Sequence, residues 1–302
     1  MQKKVEPIGS LLVPEPLRPG DRVGVIATSS GVSQAGDIRQ VVKSLQKLGL
    51  VPLLGQYVSE KNDYLAGTDI QRANDMNAMF EDATIKGIIC LRGGYGALRL
   101  VDLLDWDMIA QHPKVFVGYS DVTTLHTVLN QRCGFVTYHG PMASIELLHL
   151  KTLDKLTLDS WQAMLFSPYP QLNLQDYLME TLVPGGFSGR LIGGNLAVLV
   201  SALGTPYAMD TTSAVLFLED VAEPPYKIDR FMTQLRLSGK LNKLAGVILG
   251  SFTTAEGDIV AVDEIMTATL APLEIPCIRG LPAGHGLPNI TLPLGTVVKW
   301  KE

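Results

Sequence analysis

Cysteine is scarce in this chain of 302 residues: Cys90, Cys133 and Cys277 are the only three, and no CxxC or CxxH spacing joins them. An odd set without motif spacing argues against a disulfide framework, and with Cys90 and Cys277 in apolar strand-like runs it suits a reducing cytoplasm. Basic charge is also in deficit. With 25 Lys and Arg against 30 Asp and Glu, the formal charge of −5 supplies no positive field for a polyanion, so nucleic acid is not an expected partner. Long apolar runs are missing too. The longest uncharged segment, Leu191 to Met209, is broken by Gly193, Gly194, Asn195, Gly204 and Pro206, so it reads as buried core rather than a membrane span. The first ten residues carry lysines but no unbroken apolar stretch, because Glu6, Pro7 and Gly9 intervene; no export signal is expected. Finally, HExxH, clustered His/Cys sets, GxGxxG and GxxxxGK[ST] are all missing, so neither a metal nor a nucleotide cofactor is expected.

What is present is the balance of a compact folded protein, 46 % hydrophobic and 18 % charged, with length enough for two domains that each bury a core. The first half alternates β-branched apolar runs with amphipathic stretches, the pattern of strand–helix units around a parallel sheet. Strands are expected over Asp21 to Thr28, Ile85 to Leu91 and Pro113 to Gly118, and helices over Ser33 to Leu48, Arg72 to Phe80 and Asp121 to Leu129. Ligands of such sheets bind beyond the carboxyl ends of the strands, where loops 27–31, 92–96 and 118–121 should converge. The pattern weakens from Leu150 to Tyr177, which reads as a connection. We therefore expect an extension over 1–16, an α/β domain over 17–165, a linker over 166–184 and a second domain over 185–302. In the latter, strands are expected at Ala214 to Leu218, Gly246 to Leu249, Ile275 to Ile278 and Val297 to Trp300, with a helix from Ile228 to Leu237.

Ser120, in Gly118-Tyr-Ser-Asp-Val-Thr123, follows a buried strand and precedes a helix. That turn lifts the hydroxyl from the sheet as a nucleophile's would be; equally, Ser120 could only cap the helix. A catalytic serine needs a base and a carboxylate to orient it. Of five histidines, His112 and His149 read as structural or exposed, and His126 is placed too far along the Ser120 helix to reach back. His139 is a credible loop histidine. His285, between Gly284 and Gly286, is the strongest base candidate, since flanking glycines permit close approach. Glu219 stands at the end of an apolar strand and is the expected acid, while Glu223 and Asp229 read as charges complementing a helix N-terminus. In a hydrolase, the Arg92-Gly-Gly-Tyr-Gly96 loop would contribute backbone N–H groups to an oxyanion hole together with that of Asp121. A non-catalytic ligand-binding module on the same scaffold is the competing reading.

Together RGGYG, GYSDVT, Tyr138-His-Gly-Pro-Met142, Gly193-Gly-Asn-Leu-Ala197, LEDVAEPPYKIDR and GHG, in this order from about Leu17 onwards, resemble the LD-carboxypeptidase family of serine peptidases. The resemblance implies a flavodoxin-like or class I amidotransferase-like parallel-sheet N-terminal domain and a smaller β-rich α/β C-terminal domain, in a cytoplasmic homodimer. It implies a Ser120–Glu219–His285 triad with oxyanion donors from the backbone of Gly94 and Asp121, and no cofactor. The implied substrate is a murein tetrapeptide losing its terminal D-alanine. Arg92, with Tyr95 beside it, is the expected contact for the substrate carboxylate. A second branch of the family, of the microcin C immunity type, hydrolyses peptidyl- and aminoacyl-adenylates instead.

Overall fold

The computed structural model describes residues 9–32, 34–253 and 259–302; Ser33, the expected helix start, and the first eight residues, with half of the expected extension, lie outside that set. The first half runs β1 (Arg22–Ile26), α1 (Ala35–Lys47), β2 (Val51–Leu54), α2 (Asp69–Glu81), β3 (Ile85–Cys90), α3 (Trp106–Gln111), β4 (Val115–Gly118), α4 (Thr123–Val128), β5 (Thr137–His139) and α5 (Lys155–Leu165). The second runs β6 (Glu180–Val183), β7 (Phe187–Asn195), α6 (Leu196–Ser201), β8 (Ala214–Val221), α7 (Pro225–Leu237), β9 (Gly246–Thr253), α8 (Ile259–Leu270), β10 (Cys277–Arg279), β11 (Leu292–Leu294) and β12 (Val297–Trp300).

These strands form two six-stranded sheets, in the orders β11-β5-β4-β3-β1-β2 and β12-β7-β8-β9-β10-β6. Within the first, β1 to β5 are parallel, and β11 joins antiparallel with Leu292 opposite His139. Apart from exposed Arg22 and Lys86 near their starts, the central strands β1, β3 and β4 are apolar because both faces are covered. Val23, Val25 and Ile89 face a core shared with Ile38, Val41 and Leu45 of α1, whereas Ile26, Ile88 and Cys90 face the opposite core beside Met76 and Phe80 of α2. In the second sheet β7 to β10 are parallel, with β12 and β6 antiparallel at its two edges.

Three local differences from the sequence expectation have physical causes. The segment expected as one helix from Asp121 to Leu129 is a 3₁₀ turn (Ser120–Val122), then α4, then a π-helical turn (Leu129–Cys133) ended by left-handed Gly134. The stretch read as a connection contains α5, whose N-terminus is capped by Asp154 accepting from the Thr157 backbone at 2.9 Å. Its buried face carries Trp161 and Leu165 but also Thr157 and Ser160, which interrupt the apolar stripe by which such a helix is recognised. Those two hydroxyls accept hydrogen bonds from the backbone N–H groups of Asn289 and Thr291 at 2.8 and 2.9 Å. Part of the expected linker forms β6, an edge strand of the second sheet.

The halves also meet at Gly193-Gly194-Asn195. The Asn195 backbone donates to Thr123 Oγ1 at 3.0 Å, and a Cβ on Gly194, at φ +142°, would lie only 2.4 Å from that oxygen. Close backbone approach to α4 therefore requires glycine there. The Asn195 side chain caps α6 through the Val198 N–H and donates to Asp220, whose second oxygen accepts from Ala197.

Fully buried Trp161 makes α5 part of the first core. Trp161→Ala is expected to lower unfolding stability by about 3–5 kcal/mol, as deletions of large buried side chains do; denaturant titration giving a loss under about 1 kcal/mol would count against this packing.

Candidate active site

The polypeptide leaves β4 through an extended Tyr119 and enters Ser120 at φ +64°. For a residue with a Cβ the left-handed region costs about 1–2 kcal/mol, so the surrounding contacts hold Ser120 in it. Ser120 Oγ lies 3.0 Å from His285 Nε2. His285 comes from the loop between β10 and β11, and its Nδ1 stands 2.7 Å from Glu219 Oε2. The same carboxylate oxygen accepts the His285 backbone N–H at 3.2 Å.

Glu219 lies on β8 and is fully buried. Because its carboxylate accepts, His285 Nδ1 carries the proton and Nε2 is left to accept from the Ser120 hydroxyl. Gly284, at φ +113°, lets the loop come this close: a Cβ there would fall 2.6 Å from Glu219 Oε2. Burial pushes the His285 pKa down, but the Glu219 hydrogen bond and charge, with the charges of Asp220 and Glu146, outweigh it and raise it above the ordinary value.

The loops expected to converge do so, and Asp121 is the residue that joins them. Its buried Oδ2 accepts from the Ser29 hydroxyl at 2.6 Å and from the Ala97 N–H at 2.8 Å. Ser30 N–H donates to the Gly93 carbonyl at 3.3 Å, and buried Arg72 donates to the carbonyls of Thr28 and Gly96. Gly93 faces Ser120: a Cβ there would sit 2.7 Å from Ser120 Cβ, 2.9 Å from its Oγ and 3.6 Å from the Asp121 backbone nitrogen. The missing side chain keeps open the space beside the hydroxyl and that amide. Gly94 is exposed at φ +123°, next to Ser30.

Arg92 is half-buried and donates to the Gly31 carbonyl at 3.3 Å. Tyr95 is exposed and tilted against Tyr64, with ring centroids 5.8 Å apart. His139 lies on β5 rather than in a loop and is fully buried, ringed by Tyr119, His126 and Phe217, and neither ring nitrogen has a protein hydrogen-bond partner among the described residues. Burial, with the charges of His126 and His285, holds its pKa well below the ordinary value. His126 accordingly does not approach Ser120 Oγ; it donates to the Gly118 carbonyl at 2.8 Å, and burial lowers its pKa to about 4. His112 bonds the Met108 carbonyl, Glu223 pairs with Lys227 at 3.1 Å, and Asp229 is exposed.

Sequence reading does not single out Tyr119, Glu146 or Asn289. Tyr119 sets its ring edge-on to His285 at 4.9 Å. With Ile145, Glu146, His149, Thr152, Leu153 and Leu287 these two rings line an open cleft of about 650 Å³ on the His285 side of the site. That volume suits a small organic ligand or peptide end. Among the described residues, no group of three or more His, Cys, Asp or Glu is placed to hold a metal ion. No helix among the described residues is long and apolar enough to cross a membrane. A hydroxyl, an imidazole and a buried carboxylate in one hydrogen-bonded line are equipped for nucleophilic acyl transfer.

Comparison with known proteins agrees with this chemistry. Residues 23–140 match the family described as LD-carboxypeptidase N-terminal domain, and residues 188–299 match LD-carboxypeptidase C-terminal domain. The chain is similar to a probable murein peptide carboxypeptidase of Bacillus subtilis (strain 168), 36 % identical over 93 % of this chain and 89 % of that protein. It is 34 % identical to a murein tetrapeptide carboxypeptidase of Pseudomonas aeruginosa over 91 % of each. Among solved structures, the MccF-like protein from Bacillus anthracis str. Ames superposes with a TM-score of 0.86 and 26 % identity, covering 95 % of both chains.

The imidazoles of His285, His126 and His139 should titrate apart. In NMR titrations the His285 ring is expected to protonate with a midpoint above 6.5, His126 near 4, and His139 well below 6.5; a His285 midpoint below 6.5 would contradict its pairing with Glu219.

Proposed function

Because the chain belongs to the LD-carboxypeptidase family, we propose that it is a serine carboxypeptidase that hydrolyses the bond from a diamino acid to the terminal D-alanine of murein tetrapeptides. Ser120 is the nucleophile, His285 the general base and Glu219 the orienting acid. The observation that carries this reading is the unbroken relay from Ser120 Oγ through His285 to Glu219, at 3.0 and 2.7 Å, beside an open cleft.

As Ser120 Oγ attacks the scissile carbonyl carbon, its proton passes to His285 Nε2, and Glu219 stabilises the resulting imidazolium through Nδ1–H. The backbone N–H groups of Gly94 and Asp121 receive the developing oxyanion in the space that Gly93 leaves open. The proton then moves from His285 to the leaving nitrogen, D-alanine departs, and a water deprotonated by the same ring releases the acyl group. Arg92, with exposed Tyr95 beside it, receives the terminal carboxylate; a guanidinium suits a bidentate acceptor. On this reading the residues supply the whole reaction, in the cytoplasm and within a homodimer, as the family resemblance implies.

The second reading, an immunity-type peptidase acting on peptidyl- or aminoacyl-adenylates, is favoured by the fold likeness to the MccF-like protein. The higher sequence identity to the murein carboxypeptidases supports the first. Purified protein is expected to release D-alanine from murein tetrapeptide with or without a chelator, and Ser120→Ala to lower the rate by ~10⁴-fold or more. Undiminished turnover in that variant would remove Ser120 from the mechanism, and turnover of an aminoacyl-adenylate alone would favour the second reading.

The pH profile follows from His285. The ring must be neutral to accept the serine proton, and its raised pKa keeps it protonated to a higher pH than an ordinary histidine. The rate should therefore climb with pH through a midpoint above 6.5, and a profile flat from about pH 5.5 to 8 would exclude His285 as the base.

A further inference from the structure

We propose that Glu146 and Asn289 are positioning residues that hold the His285 loop against Ser120 across the seam between the two halves. This rests on the reading of Ser120 and His285 as nucleophile and base. Glu219 orients His285 from β8, within the same half, and so fixes the imidazole to its own sheet rather than to the nucleophile. The link across the seam is made by Asn289, four residues beyond His285 and fully buried. Its Oδ1 accepts the Gly284 N–H at 3.0 Å, its Nδ2 donates to Glu146 Oε1 at 3.0 Å, and its backbone N–H donates to Thr157 Oγ1 of α5 at 2.8 Å.

Glu146 completes the link. Its second oxygen accepts the Met142 N–H at 3.0 Å, so both carboxylate oxygens are held by uncharged donors in a buried site. Tyr119, which lines the same cleft as Glu146, packs its ring edge-on to His285. Glu146 is thus bound to the His285 loop through Asn289 and to the first half through the Met142 backbone, while Tyr119, which precedes Ser120, packs on the imidazole that the loop carries. A buried carboxylate without a cationic partner is costly, and a saturated polar network of this kind fixes one arrangement of the elements it joins.

The pair can be tested by reversing its polarity. Asn289→Asp alone sets two carboxylates face to face, and Glu146→Gln alone loses one of the two bonds that Glu146 accepts. The double variant E146Q/N289D restores the match. The new amide donates its N–H₂ to the carboxylate at position 289 and accepts the Met142 N–H with its carbonyl, while the Gly284 bond is kept. Two rates are read on each protein: D-alanine release from murein tetrapeptide, and modification of Ser120 by a fluorophosphonate, which needs no murein substrate. Misplacing a reacting group by about 1 Å costs on the order of 100-fold. Asn289→Asp is thus expected to lower kcat and the fluorophosphonate rate by about 100-fold, with KM within about twofold, and Glu146→Gln by about 10-fold. The double variant should recover at least about 10-fold over Asn289→Asp. If Asn289→Asp does not fold, the double variant is expected to fold and to exceed Glu146→Gln in both rates. Single variants that react like wild type, or a folded double variant without recovery, would overturn the proposal. Wild-type protein that reacts with the fluorophosphonate but releases no D-alanine would refute the substrate reading alone, leaving the ranking of probe rates to decide the positioning role. Wild-type protein in which Ser120 fails to react would overturn both.

Discussion

A carboxylate with no access to water, on the strand β8, is the constraint around which this molecule is arranged. A buried charge of that kind is costly unless donors meet it, and here Oε2 receives two while Oε1 has no partner among the described residues. For Glu219 the donors of Oε2 come from one residue, the backbone and the ring of His285. Both reach the same oxygen because Gly284 has no side chain to hold the loop away. The tautomer of the imidazole follows from this pairing, and the pairing leads the effects that raise its pKa, with the charges of Asp220 and Glu146 behind it.

Ser120 is held by an equally local device. Ser120 occupies a backbone conformation that its Cβ disfavours, and the turn is fixed by Asp121, whose side chain gathers two neighbouring loops through Ser29 and Ala97. The first half carries Ser120 and the loop from β10 carries His285, and the two meet only at the junction of the halves. That junction is dense in polar contacts for a physical reason: backbone groups of Asn195, Asn289 and Thr291 are brought out of water there, and Thr123, Thr157 and Ser160 supply the acceptors they would otherwise lack.

How legible this was in the sequence depended on what each position displays. Continuous apolar runs announced β1, β3, β4 and β8, because strands covered on both faces leave no polar alternation to confuse them. Helix α5 was hidden since Thr157 and Ser160 break its apolar stripe, and β5 and β11 are only three residues long. Ser120, Glu219 and His285 stood out by strand ends and flanking glycines, yet neither the positive φ at Ser120 nor the meeting of the three side chains is encoded by residue type. Glu146 and Asn289 offered no signal at all. They are isolated polar residues 143 positions apart, and only the folded chain makes them neighbours.

The strand β11 belongs to the first sheet although it follows every strand of the second except β12. As the polypeptide emerges from the ribosome, β5 must therefore remain an open edge until residues 292–294 appear. Its brevity limits what that edge can capture in the interval. The first half cannot be completed before the second is almost entirely synthesised, so the two sheets reach their final form together rather than in succession.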